Sequence, residues 1–151
     1  MYEFLDYQTR DVMTPNPVTT APDRPISEVE EIFEKHDFNG LPVLDAEGQV
    51  IGVITKLDLL RAFHNDGDRM FPPYKEIMRR TVSSAMTPKV RSVCPRTPLT
   101  RVLEKMVVFG CKSFPVLDGD QLVGVVARED VLRGLRRAAA GERAPSGDAE
   151  S

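Results

Sequence analysis

The apolar residues between positions 99 and 107 fall on one side of a helix. Leu99, Val102, Leu103, Met106 and Val107 stand at i, i+3, i+4, i+7 and i+8, the spacing of an amphipathic α-helix. Thr97 is a good N-cap ahead of it, Pro98 suits the first helical position, and Gly110 suits a left-handed residue past its end. Ile26, Val29 and Phe33 trace the same face earlier in the chain, behind a poorer cap at Arg24. The period then changes. Leu41 to Leu44 and Phe114 to Leu117 are short apolar runs, each followed by an acidic, glycine-containing turn and a second run, Val50 to Ile54 or Leu122 to Val126. Such pairs predict β-hairpins. After each hairpin comes a second helix, expected to bury Leu59, Leu60 and Phe63 in one place and Val131, Leu132 and Leu135 in the other.

These elements are two copies of one unit. Val12-Met13-Thr14-Pro15 returns as Ala85-Met86-Thr87-Pro88, and Pro22 to Val29 returns as Pro95 to Val102. Leu41-Pro42-Val43-Leu44-Asp45 matches Phe114-Pro115-Val116-Leu117-Asp118, Gln49 to Ile54 matches Gln121 to Val126, and Asp58-Leu59-Leu60-Arg61 matches Asp130-Val131-Leu132-Arg133. One residue is lost in the turn, where Asp45-Ala46-Glu47-Gly48 becomes Asp118-Gly119-Asp120, and exposed turns are where a duplicated fold tolerates deletion. Each copy reads strand, helix, strand, strand, helix, which gives a mixed α/β (α+β) fold. A copy of roughly 55 residues buries only one side of its small sheet, so the two are expected to pack as one domain. The expected layout is a lead-in at 1–10, a first repeat at 11–64, a linker at 65–83 with a short helix from Tyr74 to Arg80, a second repeat at 84–137 and a small, polar, disordered tail at 138–151.

Composition narrows the function. With 151 residues, 41% apolar and 28% charged, the chain is globular. A net charge of −3 gives no reason to expect nucleic acid or an anionic membrane as partner. No apolar run approaches the roughly 18 residues of a membrane span. Cys94 and Cys111 lack disulfide-framework or metal-ligand spacing and read as reduced thiols, and the first residues carry acids where a signal peptide carries bases. A soluble cytoplasmic protein is expected. Catalysis finds little support. His36 and His64 lie near helix ends without neighbouring ligands, and no nucleophile elbow, phosphate loop or zinc motif is present. No catalytic or metal-binding residue is assigned.

The Met-Thr-Pro opening, the central Pro-Val, the glycine of the second hairpin strand and the closing Thr-x-x-Asp, in that order and repeated, resemble the cystathionine-β-synthase-type (CBS) pattern from about Asp11 to Arg137. The resemblance implies a pseudo-twofold pair of β-α-β-β-α repeats, a Bateman-type module, with two clefts between the copies and further association into a homodimer. It also implies regulation. The clefts would bind an adenosine-containing ligand (AMP, ADP, ATP or S-adenosylmethionine), with no obligatory cofactor, and binding would alter an attached or partner protein.

By the same resemblance, Thr55 and Asp58 of Thr55-Lys56-Leu57-Asp58 would hold ribose and phosphate. A carboxylate suits a cis-diol because it accepts two hydroxyl protons at once. Thr-x-x-Asp before a helix is equally a capping box, and one motif can serve both purposes. The second copy departs from the pattern: Ala127-Arg128-Glu129-Asp130 keeps the acid and loses the hydroxyl. Arg128 either restores attraction for phosphate or is a solvated arginine at a helix end. The Thr55/Asp58 site is therefore expected to be the better one. The base would lie against Val18, Thr19, Thr20, Asn39, Gly40, Leu41 and Pro42 in one copy and Arg91, Ser92, Val93, Lys112, Ser113, Phe114 and Pro115 in the other. Most of the apolar ones among these are core, and Arg91 and Lys112 are phosphate candidates. The alternative is a ligand-independent dimerisation or interaction module in which Thr55 and Asp58 merely cap a helix.

Overall fold

A computed structural model of the chain describes residues 2–64, 73–88 and 90–146. Most of the linker at 65–83 that precedes its short helix, and the end of the tail, lie outside the described residues. Two 3-10 turns, Tyr2–Asp6 and Thr9–Asp11, lead into β1 (Thr14–Pro15). There follow α1 (Ile26–Lys35), β2 (Gly40–Leu44), β3 (Val50–Thr55) and α2 (Lys56–His64), then the short helices α3 (Tyr74–Arg79) and α4 (Val82–Ala85). The second half contains α5 (Leu99–Phe109), β4 (Ser113–Asp118), β5 (Gln121–Ala127) and α6 (Arg128–Ala139). Helices, hairpins and the linker helix thus form where the pattern predicts them.

The chain divides into two compact units, and the division does not follow the order of the repeats. One is continuous, Val18–Val90; the other joins Met1–Pro17 to Arg91–Ser151. Each unit therefore takes its lead-in from the segment that precedes the other repeat.

In Val18–Val90, β2 and β3 form an antiparallel hairpin with Gly40 opposite Thr55 and Val43 opposite Gly52, and a bulge follows Val43. The strand that opens the repeat is reduced to a single parallel bridge between Thr20 and Val43, and Thr87 forms an antiparallel bridge to Val53 on the far edge. Ile26, Val29 and Phe33 of α1 pack with Leu41, Val43, Ile54, Leu59, Ile77, Met78 and Val82 in the core. The first amide of α1, Ile26 N–H, donates to the Arg80 carbonyl at 2.9 Å, which ties α1 to the end of α3.

The discontinuous unit repeats this plan. β4 and β5 pair with Ser113 opposite Ala127 and Val116 opposite Gly124. Val93 bridges Val116 in parallel, and β1 completes the other edge with Thr14 opposite Val125. Leu99 N–H donates to the Tyr7 carbonyl at 2.9 Å, as Ile26 does to Arg80. The duplication consequently extends upstream of the Met-Thr-Pro motif. The turn at Tyr2–Asp6 stands where α3 stands in the other unit, and Phe4, Tyr7 and Val12 join Leu99, Val102, Met106, Phe114, Val116, Val126 and Val131 in the core. Gly110 adopts the expected left-handed conformation at the end of α5, with φ 67°.

Three expectations change. Thr97 does not cap α5; the cap position is Pro98, and the Thr97 hydroxyl instead accepts the Cys94 amide at 2.9 Å. Leu60, Leu132 and Val107 are exposed rather than buried. The buried sides of α2 and α6 are taken by Asp58 with Leu59 and by Asp130 with Val131, and Leu60 and Leu132, about 100° further round, face outward. The segment from 138 onward is not structureless within its described part. α6 runs to Ala139, Ala144 is buried, and Ser146 binds the Asp11 carboxylate through its amide at 2.8 Å and its hydroxyl at 2.6 Å.

The fully buried Tyr7 belongs to this fastening, and its phenol donates to the Glu142 carbonyl at 3.1 Å. Burial pushes the phenol above its ordinary 10.0, and the Glu142 carboxylate adds to the effect. The unfolded chain then ionises at a pH where the folded chain does not. Stability from this group is complete below pH 10.0 and is lost as pH rises above it. Alkaline denaturation followed by circular dichroism should show the loss, and Tyr7→Phe should flatten it; identical alkaline slopes for the two proteins would refute the assignment.

Candidate functional site

Thr55 is the last residue of β3 and Asp58 lies in the first turn of α2. The hairpin register sets Gly40 opposite Thr55. Thr20 is held beside the same hairpin, its amide donating to the Pro42 carbonyl at 3.0 Å and its carbonyl accepting the Leu44 amide at 2.9 Å. The structure therefore gathers Thr20, Gly40, Leu41, Pro42, Thr55 and Asp58 on one hairpin and its margin. Thr19 and Asn39 sit next to them in sequence, and both are half-buried.

Thr55 and Asp58 form the capping box in full. The Thr55 amide donates to Asp58 Oδ2 at 2.8 Å, the Asp58 amide to Thr55 Oγ1 at 3.2 Å, and Thr55 Oγ1 to Oδ2 at 3.0 Å. The other carboxylate oxygen, Oδ1, accepts the Thr87 hydroxyl at 3.1 Å and lies 3.6 Å from the Arg61 guanidinium. Asp58 is only 3% exposed, a burial that a carboxylate sustains because donors surround it. Thr87 was not singled out by sequence reasoning. Its signal was the Met-Thr-Pro motif itself, whose threonine is placed against the hairpin by the Val53 bridge.

Asp130 keeps half of this arrangement. Its Oδ2 accepts the Ala127 amide at 2.7 Å, while alanine offers no reciprocal hydroxyl. Oδ1 accepts from Arg133 Nη2 at 2.9 Å, and the same nitrogen donates to the Val12 carbonyl at 2.8 Å. Arg128 is not a free cation. Its Nε donates to the Cys111 carbonyl and its Nη2 to the Gly110 carbonyl, each at 3.1 Å, so it satisfies carbonyls at the end of α5. Arg91 stacks on Phe109, its guanidinium carbon 3.7 Å from the ring centroid. Lys112 is exposed and its carbonyl accepts the Arg128 amide at 3.1 Å. Ser92 and Ser113 are half-buried. Leu41, Pro42, Phe114 and Pro115 are buried, and the Leu41 and Phe114 side chains belong to the cores.

Among the described residues no group of His, Cys, Asp and Glu is placed to hold a metal ion, and no helix is long and apolar enough to cross a membrane.

The CBS domain family model matches residues 10–65 and again residues 82–137. A CBS-domain containing protein from Agrobacterium tumefaciens superposes with a TM-score of 0.74 at 25% identity, over 87% of this chain and 95% of that one. The CBS domain pair of protein MJ0100, solved in complex with 5′-methylthioadenosine and S-adenosyl-L-methionine, superposes with a TM-score of 0.73 at 26% identity, over 87% of this chain and 97% of that one. The L-aspartate semialdehyde sulfurtransferase of Methanocaldococcus jannaschii is 28% identical over 125 residues, which is 82% of this chain. This chain spans only 22% of that enzyme's length.

Proposed function

The chain belongs to the CBS-domain family, and from that premise we propose that it is a regulatory module whose Thr55/Asp58 site binds an adenosine-containing ligand. One observation carries the reading: Asp58 is a buried carboxylate that already takes a hydroxyl group, that of Thr87, on the oxygen not used for capping. The same chemistry recognises a ribose hydroxyl. The similarity to a pair solved with 5′-methylthioadenosine and S-adenosylmethionine supports the ligand class, and AMP, ADP and ATP share the ribose. The module is regulatory rather than catalytic. It signals to a partner protein by a change of geometry, which requires the ligand to prefer one of two states. Its two free cysteines fit the reducing cytoplasm.

Asp130 is the poorer site in this reading, because it lacks the threonine and its second oxygen is held by a guanidinium. Arg128 is committed to the carbonyls after α5, which leaves Arg91 and Lys112 as the candidates for phosphate. Calorimetric titration with AMP, ATP and S-adenosylmethionine tests the asymmetry. Asp58→Ala is expected to abolish the main binding event and Asp130→Ala to leave it within about twofold, a difference near 0.4 kcal/mol. Equal losses would sink the asymmetry.

A second reading, a ligand-independent homodimerisation or interaction module, is favoured by the exposed apolar residues Leu57 and Leu60 on α2, Val107, Val108 and Phe109 on α5, and Leu132 on α6. Thermal melting separates the two, since a ligand at 100 times its dissociation constant adds about 2.7 kcal/mol. No shift with any adenosine compound would select the second.

A further inference from the structure

The carboxylates of Asp58 and Asp130 are held alike at one oxygen and differently at the other. In both, Oδ2 accepts the amide of the residue three positions earlier. Oδ1 of Asp58 accepts a neutral hydroxyl, with the exposed Arg61 guanidinium 3.6 Å away and beyond hydrogen-bonding reach; Oδ1 of Asp130 accepts a guanidinium at 2.9 Å that is also anchored on Val12. The backbone around them is the same. Val53 and Thr87 exchange two hydrogen bonds, at 3.0 and 2.9 Å, and Thr14 faces Val125 in the matching register. The Thr14 hydroxyl nevertheless makes no bond to Asp130 among the described residues. The pairing alone does not impose the Thr87 contact.

We propose that Thr87 is an internal competitor at the ligand site: its hydroxyl occupies the Asp58 oxygen that a ligand hydroxyl takes, and it turns away when the ligand binds. This rests on the reading of Asp58 as a hydroxyl acceptor. Thr87 suits the part for two reasons. Its side chain is exposed, so a rotated hydroxyl finds water, while its backbone stays pinned to Val53. Exchange of one hydroxyl for another also leaves the buried carboxylate satisfied in both states, which avoids the large cost of an orphaned charge. The arginine at Asp130 makes a stronger, charge-assisted bond that a neutral hydroxyl does not displace. Thr87 therefore sets the affinity of the site below what Asp58 alone would give.

Titration of the full chain with AMP and with 2′,3′-dideoxy-AMP, for wild type, Thr87→Val and Thr87→Ser, tests this. Thr87→Val keeps the shape and removes the hydroxyl, and it is expected to bind AMP about tenfold tighter. Thr87→Ser should behave as wild type, and the dideoxy compound, with no diol to offer, should gain nothing from the valine. S-adenosylmethionine, which carries the same diol, is titrated in parallel. Thr87→Ala is the substitute should the valine variant fail to fold. If wild type binds AMP or S-adenosylmethionine and removal of the hydroxyl leaves affinity unchanged or weaker, the competitor role is overturned while the ligand reading stands. An equal gain for AMP and its dideoxy analogue overturns it too. If no variant binds either compound, the ligand reading falls and this inference with it.

Discussion

Phe114→Ala is expected to cost about 3–5 kcal/mol of stability. Phe114 is 1% exposed and sits on β4 among Val93, Leu99, Val102 and Val126. Truncation removes the transfer energy of the ring and leaves a cavity that the hairpin, pinned on both edges, cannot close. Against the 5–15 kcal/mol that holds a typical domain folded, the loss is a large fraction of the total. In urea, the midpoint should fall with little change in slope. The result also bears on function. A side chain that served the ligand would be exposed without it, and its removal would weaken binding while sparing stability. A loss below about 1 kcal/mol would place Phe114 at a surface and return it to the candidate site.

Gly52→Ala is expected to destabilise by roughly 3 kcal/mol, although glycine to alanine within a strand ordinarily gains a few tenths of a kcal/mol or more through the unfolded chain. A Cβ at Gly52 would lie 2.8 Å from Met86 Sδ and 2.9 Å from the Thr87 carbonyl oxygen. The methionine can swing aside, but the carbonyl is backbone and accepts the Val53 amide. The added methyl therefore displaces the Met86–Thr87 segment, with the loss of both bonds to Val53 and of the Thr87 contact to Asp58. Gly124 has the same relation to Met13 and Thr14, with both contacts at 2.9 Å, so Gly124→Ala serves as an internal replicate. This is the physical content of the Met-Thr-Pro motif: the methionine and threonine lie in a groove that only glycine leaves open. Wild-type melting temperatures for both alanine variants would disprove it.

Local rules made most of the architecture legible. Helical spacing located α1 and α5, the apolar runs and acidic turns located both hairpins, and Gly110 marked the end of α5. The capping box at Thr55 and Asp58 was legible for the same reason, since its partners are three residues apart. What escaped were contacts between residues distant in sequence. Thr87 reaches Asp58 across 29 positions and Arg133 reaches Val12 across 121, and no periodicity encodes either. Arg128 stood open between a phosphate contact and a solvated helix end because its carbonyl partners at Gly110 and Cys111 belong to a neighbouring element. The tail looked structureless because its composition is polar, yet two hydrogen bonds to Asp11 and one buried alanine fasten its described part, up to Ser146. Leu60 and Leu132 were misjudged because an apolar pair in a helix says that a face exists without saying which of the two it favours.

The discontinuity of one unit gives the ribosome an ordering problem. Val18–Val90 is complete as soon as Val90 emerges, and its core can close while synthesis continues. Met1–Pro17 is made before that unit and buried after it: Phe4, Tyr7 and Val12 have no hairpin to cover until β4 and β5 exist. At roughly 5–20 residues per second, these three apolar side chains wait several seconds for the partners that bury them. A segment made before Val18–Val90 thus finds its place after it, and during that interval it is a stretch that a chaperone would have reason to hold.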